Sequence, residues 1–265
     1  MAIRKILAGA ALLAAGSAGA ADLPNLKEPV PPPAPEPVFT WTSFYVGVNG
    51  GFGLDHASVP YVLTYPAAFA GGTTGMTERG PLFGGQIGYL YQLSGIPSLT
   101  QGMPLLNNVV VGVEADSDWA DINGRATAVT PLGTAVFGTR IKDFGTIRGR
   151  LGYSFDRLLL YVSAGFSYAT TENYYSVPGF SGSASVLRVP PRFAAYSIGG
   201  EYAFAQNWTF RAEYLYDYIR ANWNDYAPAP GTQVQFASRA TFHVVRFGLN
   251  YQFDLFTPQP VVARY

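Results

Sequence analysis

Hydrophobic and polar residues alternate with a period of two through most of the chain, and the segment 208–222 shows this clearly. Its apolar and aromatic positions are Trp208, Phe210, Ala212, Tyr214, Tyr216 and Tyr218, and the polar positions between them include Thr209, Arg211, Glu213 and Asp217. Successive side chains of a β-strand point to opposite faces. The pattern therefore predicts a strand with one face suited to lipid and the other suited to a polar interior.

About eight segments of this kind follow one another, separated by clusters of Gly, Pro, Asn, Asp and Ser. They are 43–54, 81–93, 108–120, 142–154, 157–171, 192–205, 208–222 and 239–253. Tight turns at 155–156 and 206–207 alternate with longer loops, which we expect at 172–191 and 223–238. Short turns on one side and long loops on the other are typical of outer-membrane barrels. The connection 94–107 departs from this rule, because it is long where a short periplasmic turn is expected.

The polar faces of these segments carry Arg in near balance with Glu and Asp. A soluble β-sandwich would also alternate, but its polar face would meet water and would carry Lys and Glu freely. We therefore predict an all-β fold, an eight-stranded antiparallel transmembrane up-and-down β-barrel with a polar, side-chain-filled interior. The residues expected to form an interior charge cluster are Glu114, Asp116, Arg148, Arg150, Glu201, Arg211, Glu213, Asp217 and Arg246.

Aromatic residues collect near the ends of several segments, as at 41–45 and 216–223. Such rings prefer the headgroup level of a membrane, so they predict interfacial girdles around the barrel.

The beginning of the chain has the features of a secretory signal peptide. Arg4 and Lys5 precede an apolar run from Ile6 to Ala15, and small residues follow up to Ala21. We expect a signal peptide at 1–21, cleaved after Ala20 or Ala21, and a Pro-rich periplasmic linker at 22–40. The barrel is then expected at 41–253 and a C-terminal tail at 254–265, which places the protein in the outer membrane of a Gram-negative bacterium.

Charge and cysteine content exclude several classes of function. Lys and Arg number 17 against 17 Asp and Glu, so no basic surface is available to neutralise nucleic-acid phosphates. The chain contains no cysteine, which excludes a disulfide framework, a thiolate metal site and a cysteine nucleophile.

Candidate binding and catalytic residues are few. The run Asp116, Asp118, Asp121, Asn123 and Gly124 is similar to a calcium loop, but its spacing fails the EF-hand template. His56 and His243 are the two histidines, and a lone histidine is more often structural than a haem or metal ligand. The local candidate for hydrolysis is His56 with Asp55 and Ser58. No nucleophile motif accompanies these three residues, so we expect neither catalysis nor a metal or other cofactor.

Three segments carry a family resemblance: FYVGVNGG at 44–51, GTIRGRLGY at 145–153 and WTFRAEYLY at 208–216. On these segments the chain resembles the alphaproteobacterial outer-membrane immunogenic proteins, a family of small OmpA-like barrels often labelled "porin family". The resemblance implies an eight-stranded transmembrane barrel. It also implies roles in envelope integrity and surface antigenicity and, in some members, host interaction or haem binding.

The segment RFGLNYQF at 246–253 looks like the assembly signal that the barrel-assembly machinery reads, with Arg246, Gly248, Tyr251 and Phe253 as its main residues. The signal phenylalanine commonly ends a chain of this kind, whereas residues 254–265 follow it here.

Together these features predict a structural, surface-exposed barrel that contributes to envelope integrity and external interactions. The alternatives are a narrow pore for small solutes and a loop-based binder of haem or another ligand. The expected partners are outer-membrane lipid and lipopolysaccharide, the barrel-assembly machinery, and host or environmental ligands at the loops.

Overall fold

The computed structural model describes residues 39–189, 194–219, 223–237 and 240–253. The predicted signal peptide, the linker up to residue 38 and the tail at 254–265 lie outside the described residues. Within the described ranges, no helix is both long enough and apolar enough to cross a membrane.

The described chain is built almost entirely from antiparallel strands. They are β1 (Ser43–Tyr65), β2 (Ala68–Gln92), β3 (Val109–Thr130), β4 (Gly133–Phe155), β5 (Leu158–Val177), β6 (Phe180–Arg188), β7 (Ala195–Ala203), β8 (Trp208–Ile219), β9 (Trp223–Ala229), β10 (Thr232–Ala237) and β11 (Ala240–Phe253). A short helix, α1 (Pro97–Thr100), and two 3₁₀ segments, Leu93–Gly95 and Pro104–Asn108, join β2 to β3.

Eight strands form a closed hydrogen-bonded ring in the order β1, β2, β3, β4, β5, β7, β8 and β11. The ring closes where β11 pairs with β1, from Phe44 opposite Phe253 to Leu54 opposite His243. The all-β, eight-stranded antiparallel prediction is therefore confirmed.

The strands are longer than a membrane requires. β2 has 25 residues, whereas a tilted transmembrane strand needs only about 9–11. Beyond the ring, β6 pairs with β5, β10 pairs with β1, and β9 pairs with β10. We call this part the distal extension; it comprises β6, β9 and β10 with 55–65 of β1, 68–79 of β2, 121–130 of β3, 133–143 of β4 and 171–177 of β5. In outer-membrane barrels the segments that join the membrane strands are short on the periplasmic side and long on the outer side. The distal extension forms the long joining segments here, so we expect it to point out of the cell.

The predicted long loops at 172–191 and 223–238 are wrong. Much of these ranges forms strand, with β6, β9 and β10 continuing the wall of the barrel. Period-two burial persists there, because Asn173, Tyr175 and Val177 point inward while the residues between them do not. Two distal turns are Pro-Gly pairs, in which Gly179 has a φ of 84° and Gly231 a φ of 75°. Proline followed by a glycine with positive φ is typical of a type II turn, so each pair closes a hairpin.

The outward face of the ring is an apolar belt. Each strand of the ring contributes large exposed apolar residues, for example Val48, Ile87, Val113, Ile147, Val162, Ile198, Phe210 and Phe247. A continuous apolar band of this kind is the surface that a barrel presents to lipid.

Buried side chains occupy the interior in successive layers, and only some of these layers are polar. The layer nearest the short turns is apolar and contains Trp41, Tyr45, Leu90, Val110, Leu159, Tyr161 and Ala203. A second apolar layer lies in the middle, with Leu82, Ile122, Ile141, Phe144, Leu215, Phe242 and Val244 among its members. A third apolar layer fills the distal extension and includes Val59, Tyr61, Leu63, Phe137, Tyr175, Val234 and Phe236. Most of the buried charged residues lie between the first two layers, whereas Asp55, Glu78 and Arg188 are buried on the distal side of the second layer. The filled interior is therefore an alternation of polar and apolar layers.

Candidate functional site

Five strands bring the interior charges together. They are Glu114, Asp116 and Asp118 on β3, Arg148 and Arg150 on β4, Glu201 on β7, Arg211 and Glu213 on β8, and Arg246 on β11. We call this set the charge network. Strand register alone places three pairs of oppositely charged residues face to face: Glu114 opposite Arg148, Glu201 opposite Arg211, and Glu213 opposite Arg246. Directly opposed charges of this kind stabilise the pairing of their strands.

Glu114 and Arg148 form the centre of the charge network. Arg148 donates hydrogen bonds to Glu114 at 2.7 Å, to Asp116 at 3.1 Å and to Glu213 at 2.5 Å. The other carboxylate oxygen of Glu114 accepts hydrogen bonds from Arg150, Arg211 and the hydroxyl of Tyr45. One carboxylate is thus shared by three guanidinium groups from two strands.

Arg246 connects opposite walls of the barrel. Its guanidinium contacts Glu213 on the neighbouring strand at 3.0 Å. It also reaches Asp116 at 3.1 Å and Asp118 at 3.2 Å on β3, which is not adjacent to β11 in the ring. Ion pairs of this type cross the lumen and occupy the space that a solute would need.

Two tyrosines of the first apolar layer, Tyr45 and Tyr161, contact the charge network. Arg150 donates to Glu201 at 2.9 Å and to the Tyr45 hydroxyl at 2.8 Å. Its guanidinium lies 3.8 Å from the centre of the Tyr161 ring, and the Tyr161 hydroxyl donates to Glu213 at 2.8 Å. Stacking of a guanidinium on an aromatic face adds a cation–π attraction to the ion pairs.

An arm of amides continues the polar network along the wall formed by β11, β1 and β2. Asn250 donates to Glu201 at 2.8 Å, Gln86 donates to Asn250 at 2.5 Å, and Asn49 donates to Gln86 at 3.2 Å. Gln86 also accepts a hydrogen bond from Arg211. The strands that contribute no charge to the network are therefore still joined to it.

The charge network is almost completely shielded from water. Every arginine and carboxylate side chain in it is at most 2% exposed. A buried charge that has lost its partner costs about 3–5 kcal/mol, so each member depends on the presence of the others. Charge-assisted hydrogen bonds between guanidinium and carboxylate groups are also the stronger class of hydrogen bond.

Two aspartates differ from expectation. Asp217 was expected in the cluster, but among the described residues it makes no ion pair, and that part of the prediction is wrong. It lies in the middle apolar layer, where its register partners are Ala195 and Phe242. Asp118 was not included in the predicted cluster and yet contacts Arg246. Its inward parity with Glu114 and Asp116 on β3 was the available signal.

The other candidate residues are not brought together. Asp55 points inward, where its carboxylate accepts a hydrogen bond from the backbone N–H of Thr241, whereas His56 and Ser58 are exposed on the outer face. The strand therefore points Asp55 away from His56 and Ser58, and these three side chains do not form a hydrolytic site.

The calcium-like run does not form a binding site either. Asp116 and Asp118 point inward and Asn123 points outward on one continuous strand, so their side chains do not surround a common point. His243 lies on the outer face with its ring Nδ1 2.5 Å from the Tyr214 hydroxyl, and no potential metal cluster occurs among the described residues.

The residues of the expected assembly signal lie on β11, beside the closing strand β1. Arg246 points into the lumen as part of the charge network, and Gly248 stands opposite Asn49. Tyr251 and Phe253 form an edge-to-face pair with ring centres 4.9 Å apart, and Phe253 also contacts Phe44 across the seam.

Comparisons with known proteins agree with this architecture. The 31 kDa outer-membrane immunogenic protein of Brucella melitensis is 31% identical over 259 residues, which cover 94% of this chain and 98% of the relative. The protein of the same name from Brucella suis matches equally well. Among solved structures, the outer membrane protein OprG from Pseudomonas aeruginosa covers 80% of this chain and 96% of its own, with a TM-score of 0.50 and 14% identity. At that identity the likeness concerns the fold alone.

The family model described as "Outer membrane protein beta-barrel domain" matches residues 8–253, which is nearly the whole chain. This match, the relatives and the closed ring of strands place the protein in the bacterial outer membrane. The chain belongs to the outer membrane β-barrel family, and within it is related to the immunogenic, OmpA-like proteins.

Proposed function

We propose that this protein is a closed structural barrel that reinforces the outer membrane and presents its distal extension to the surroundings, without enzymatic activity. The observation that carries the proposal is the filled lumen. The charge network crosses the barrel from β3 to β11, and apolar layers lie on both sides of it.

The side chains packed in the lumen argue against the narrow-pore alternative. A barrel of about eight strands has an interior just wide enough for its own side chains. Here those side chains include fully buried arginines and aromatic residues, among them Arg148, Arg246 and Trp41. A solute could pass only if several ion pairs and an apolar layer separated together.

The distal extension supports a role in external contacts. It has its own apolar core, in which Tyr61 stacks on Phe137 with ring centres 5.2 Å apart and Phe137 contacts Phe236 at 5.1 Å. A packed core holds the outward surface in one shape, whereas a loop would not. The relatives are named as immunogenic proteins, which is consistent with a surface that the host encounters.

Conductance in planar lipid bilayers tests the closed-barrel proposal. The folded protein should give no channels, or only small and short-lived ones. Arg148→Ala removes the guanidinium that joins Glu114, Asp116 and Glu213, and should increase any leak. Large, steady conductance by the unmodified protein would overturn the proposal in favour of a pore.

A deletion strain tests the reinforcing role separately. Loss of the protein should increase sensitivity to bile salts and to detergents, and the unmodified gene should restore resistance. Normal resistance in the deletion strain would contradict a structural role while leaving the conductance result intact.

A further inference from the structure

We propose that the connection between β2 and β3, residues 93–108, is a membrane anchor that rests on the periplasmic phospholipid leaflet. This connection is where the alternation of short and long turns fails, because every other turn at that end of the barrel is short.

The composition of the connection fits a lipid interface. Residues 93–108 contain no Asp, Glu, Lys or Arg, although charged residues make up 13% of the chain. Three of its large apolar residues are strongly exposed: Leu99 at 52%, Met103 at 62% and Leu105 at 73%. A soluble turn would normally carry charge here and would not present three such side chains to water.

Part of the backbone of the connection is hydrogen-bonded within the connection itself. Successive N–H groups donate to earlier carbonyls, from Thr100 to Ile96 at 3.3 Å, from Gln101 to Pro97 at 2.9 Å and from Leu106 to Met103 at 2.9 Å. Internal hydrogen bonding of this kind is what a segment needs where water is scarce.

The connection is continuous with the lipid-facing belt. At its start, the Tyr91 hydroxyl lies 2.7 Å from the position that a Cβ on Gly95 would take. At its end, Asn108 donates to the Tyr153 hydroxyl at 3.4 Å. Tyr91 and Tyr153 lie on the outward faces of β2 and β4, where the strand parity is that of Ile87 and Leu151. Both ends of the connection therefore lie against tyrosines on the outer face of the barrel wall.

These observations favour lipid over a protein partner as the occupant. Interfacial segments place apolar side chains about 5–10 Å into the boundary between headgroups and acyl chains, with polar residues facing water. Leu99, Met103 and Leu105 are the residues that would enter the leaflet, and Ser98 and Gln101 would face the periplasm.

Site-directed spin labelling tests the anchor, because a chain without cysteine accepts single labels cleanly. Nitroxides at Met103→Cys and Leu105→Cys are compared with Ser98→Cys in the folded protein, in phosphatidylethanolamine–phosphatidylglycerol vesicles. Val113→Cys on the belt and Val129→Cys at a distal tip mark the deep and the aqueous limits. Folding of each variant is checked by its heat-modifiable migration.

Labels at Met103 and Leu105 should collide severalfold more with oxygen, relative to a water-soluble nickel complex, than the label at Ser98. Their depth should lie between those of Val113 and Val129. Nickel accessibility equal to that at Val129 would place the connection in water and overturn the proposal. Labels shielded from both reagents would show a second copy of the chain as the occupant, which would also overturn it.

Discussion

Arg148 makes ion pairs with three carboxylates, and neither its side chain nor theirs is exposed. Arg140 offers a contrast on the same strand, because its ion pair with Asp121 joins side chains that are 45% and 34% exposed. Replacing each arginine in turn therefore distinguishes the contribution of a buried ion pair to stability from that of an exposed one.

Arg148→Ala should lower the free energy of unfolding by about 3–5 kcal/mol, because it removes one of the four arginines that compensate five buried carboxylates. Arg140→Ala is the matched control and should lower the free energy of unfolding far less, since exposed pairs contribute little. Urea unfolding of the protein in lipid vesicles measures both. Equal losses for the two variants would mean that the interior network does not contribute more than a surface pair.

Strand parity in the sequence was enough to point the network residues inward, but not to pair them. Pairing across the lumen, as between Arg246 and Asp116, depends on how far the strands are staggered around the ring. That stagger also depends on local irregularities, and the register shifts between Trp119 and Ile122 on β3 and between Ile141 and Asp143 on β4. Asp217 lies one layer above the network because it follows Glu213 by four residues along β8.

At the scale of elements, the sequence predicted the ring strands and missed their continuation. The eight segments and the tight turns at 155–156 and 206–207 correspond to the ring. Ser, Gly and Pro are frequent in the distal hairpins, and such residues are typical of loops. The Pro178-Gly179 and Pro230-Gly231 pairs between alternating segments were the signal that would have found them.

The seam between β11 and β1 closes the ring, and Phe253 is the last residue of its register. Phe253→Asp should impair assembly, because it places a charge at the lipid-facing end of the final strand and removes the aromatic contacts with Tyr251 and Phe44. The amount of folded protein in purified outer membranes measures the effect.

Deletion of residues 254–265 is the matching control and should do less harm than Phe253→Asp. If the deletion blocked insertion while Phe253→Asp was tolerated, the assembly signal would lie in the tail.

At the scale of the whole molecule, the two ends of the barrel differ in construction. One end has short turns and the uncharged connection 93–108, and the other consists of long hairpins with their own apolar core. Since the long segments that join membrane strands lie on the outer side of outer-membrane barrels, we expect the distal extension to be the surface that the environment meets.

Labelling of single cysteines in whole cells tests the orientation. Val129 lies beside a distal turn and is 86% exposed, and Ser98 is exposed in α1 at the opposite end. A maleimide carried on a polymer too large for outer-membrane pores should label Val129→Cys in intact cells, because the distal extension points outward. It should label Ser98→Cys only after the outer membrane is permeabilised. The reverse pattern would mean that the barrel has the opposite orientation in the membrane. The distal core would then lie in the periplasm, where it could not serve as a surface for external partners.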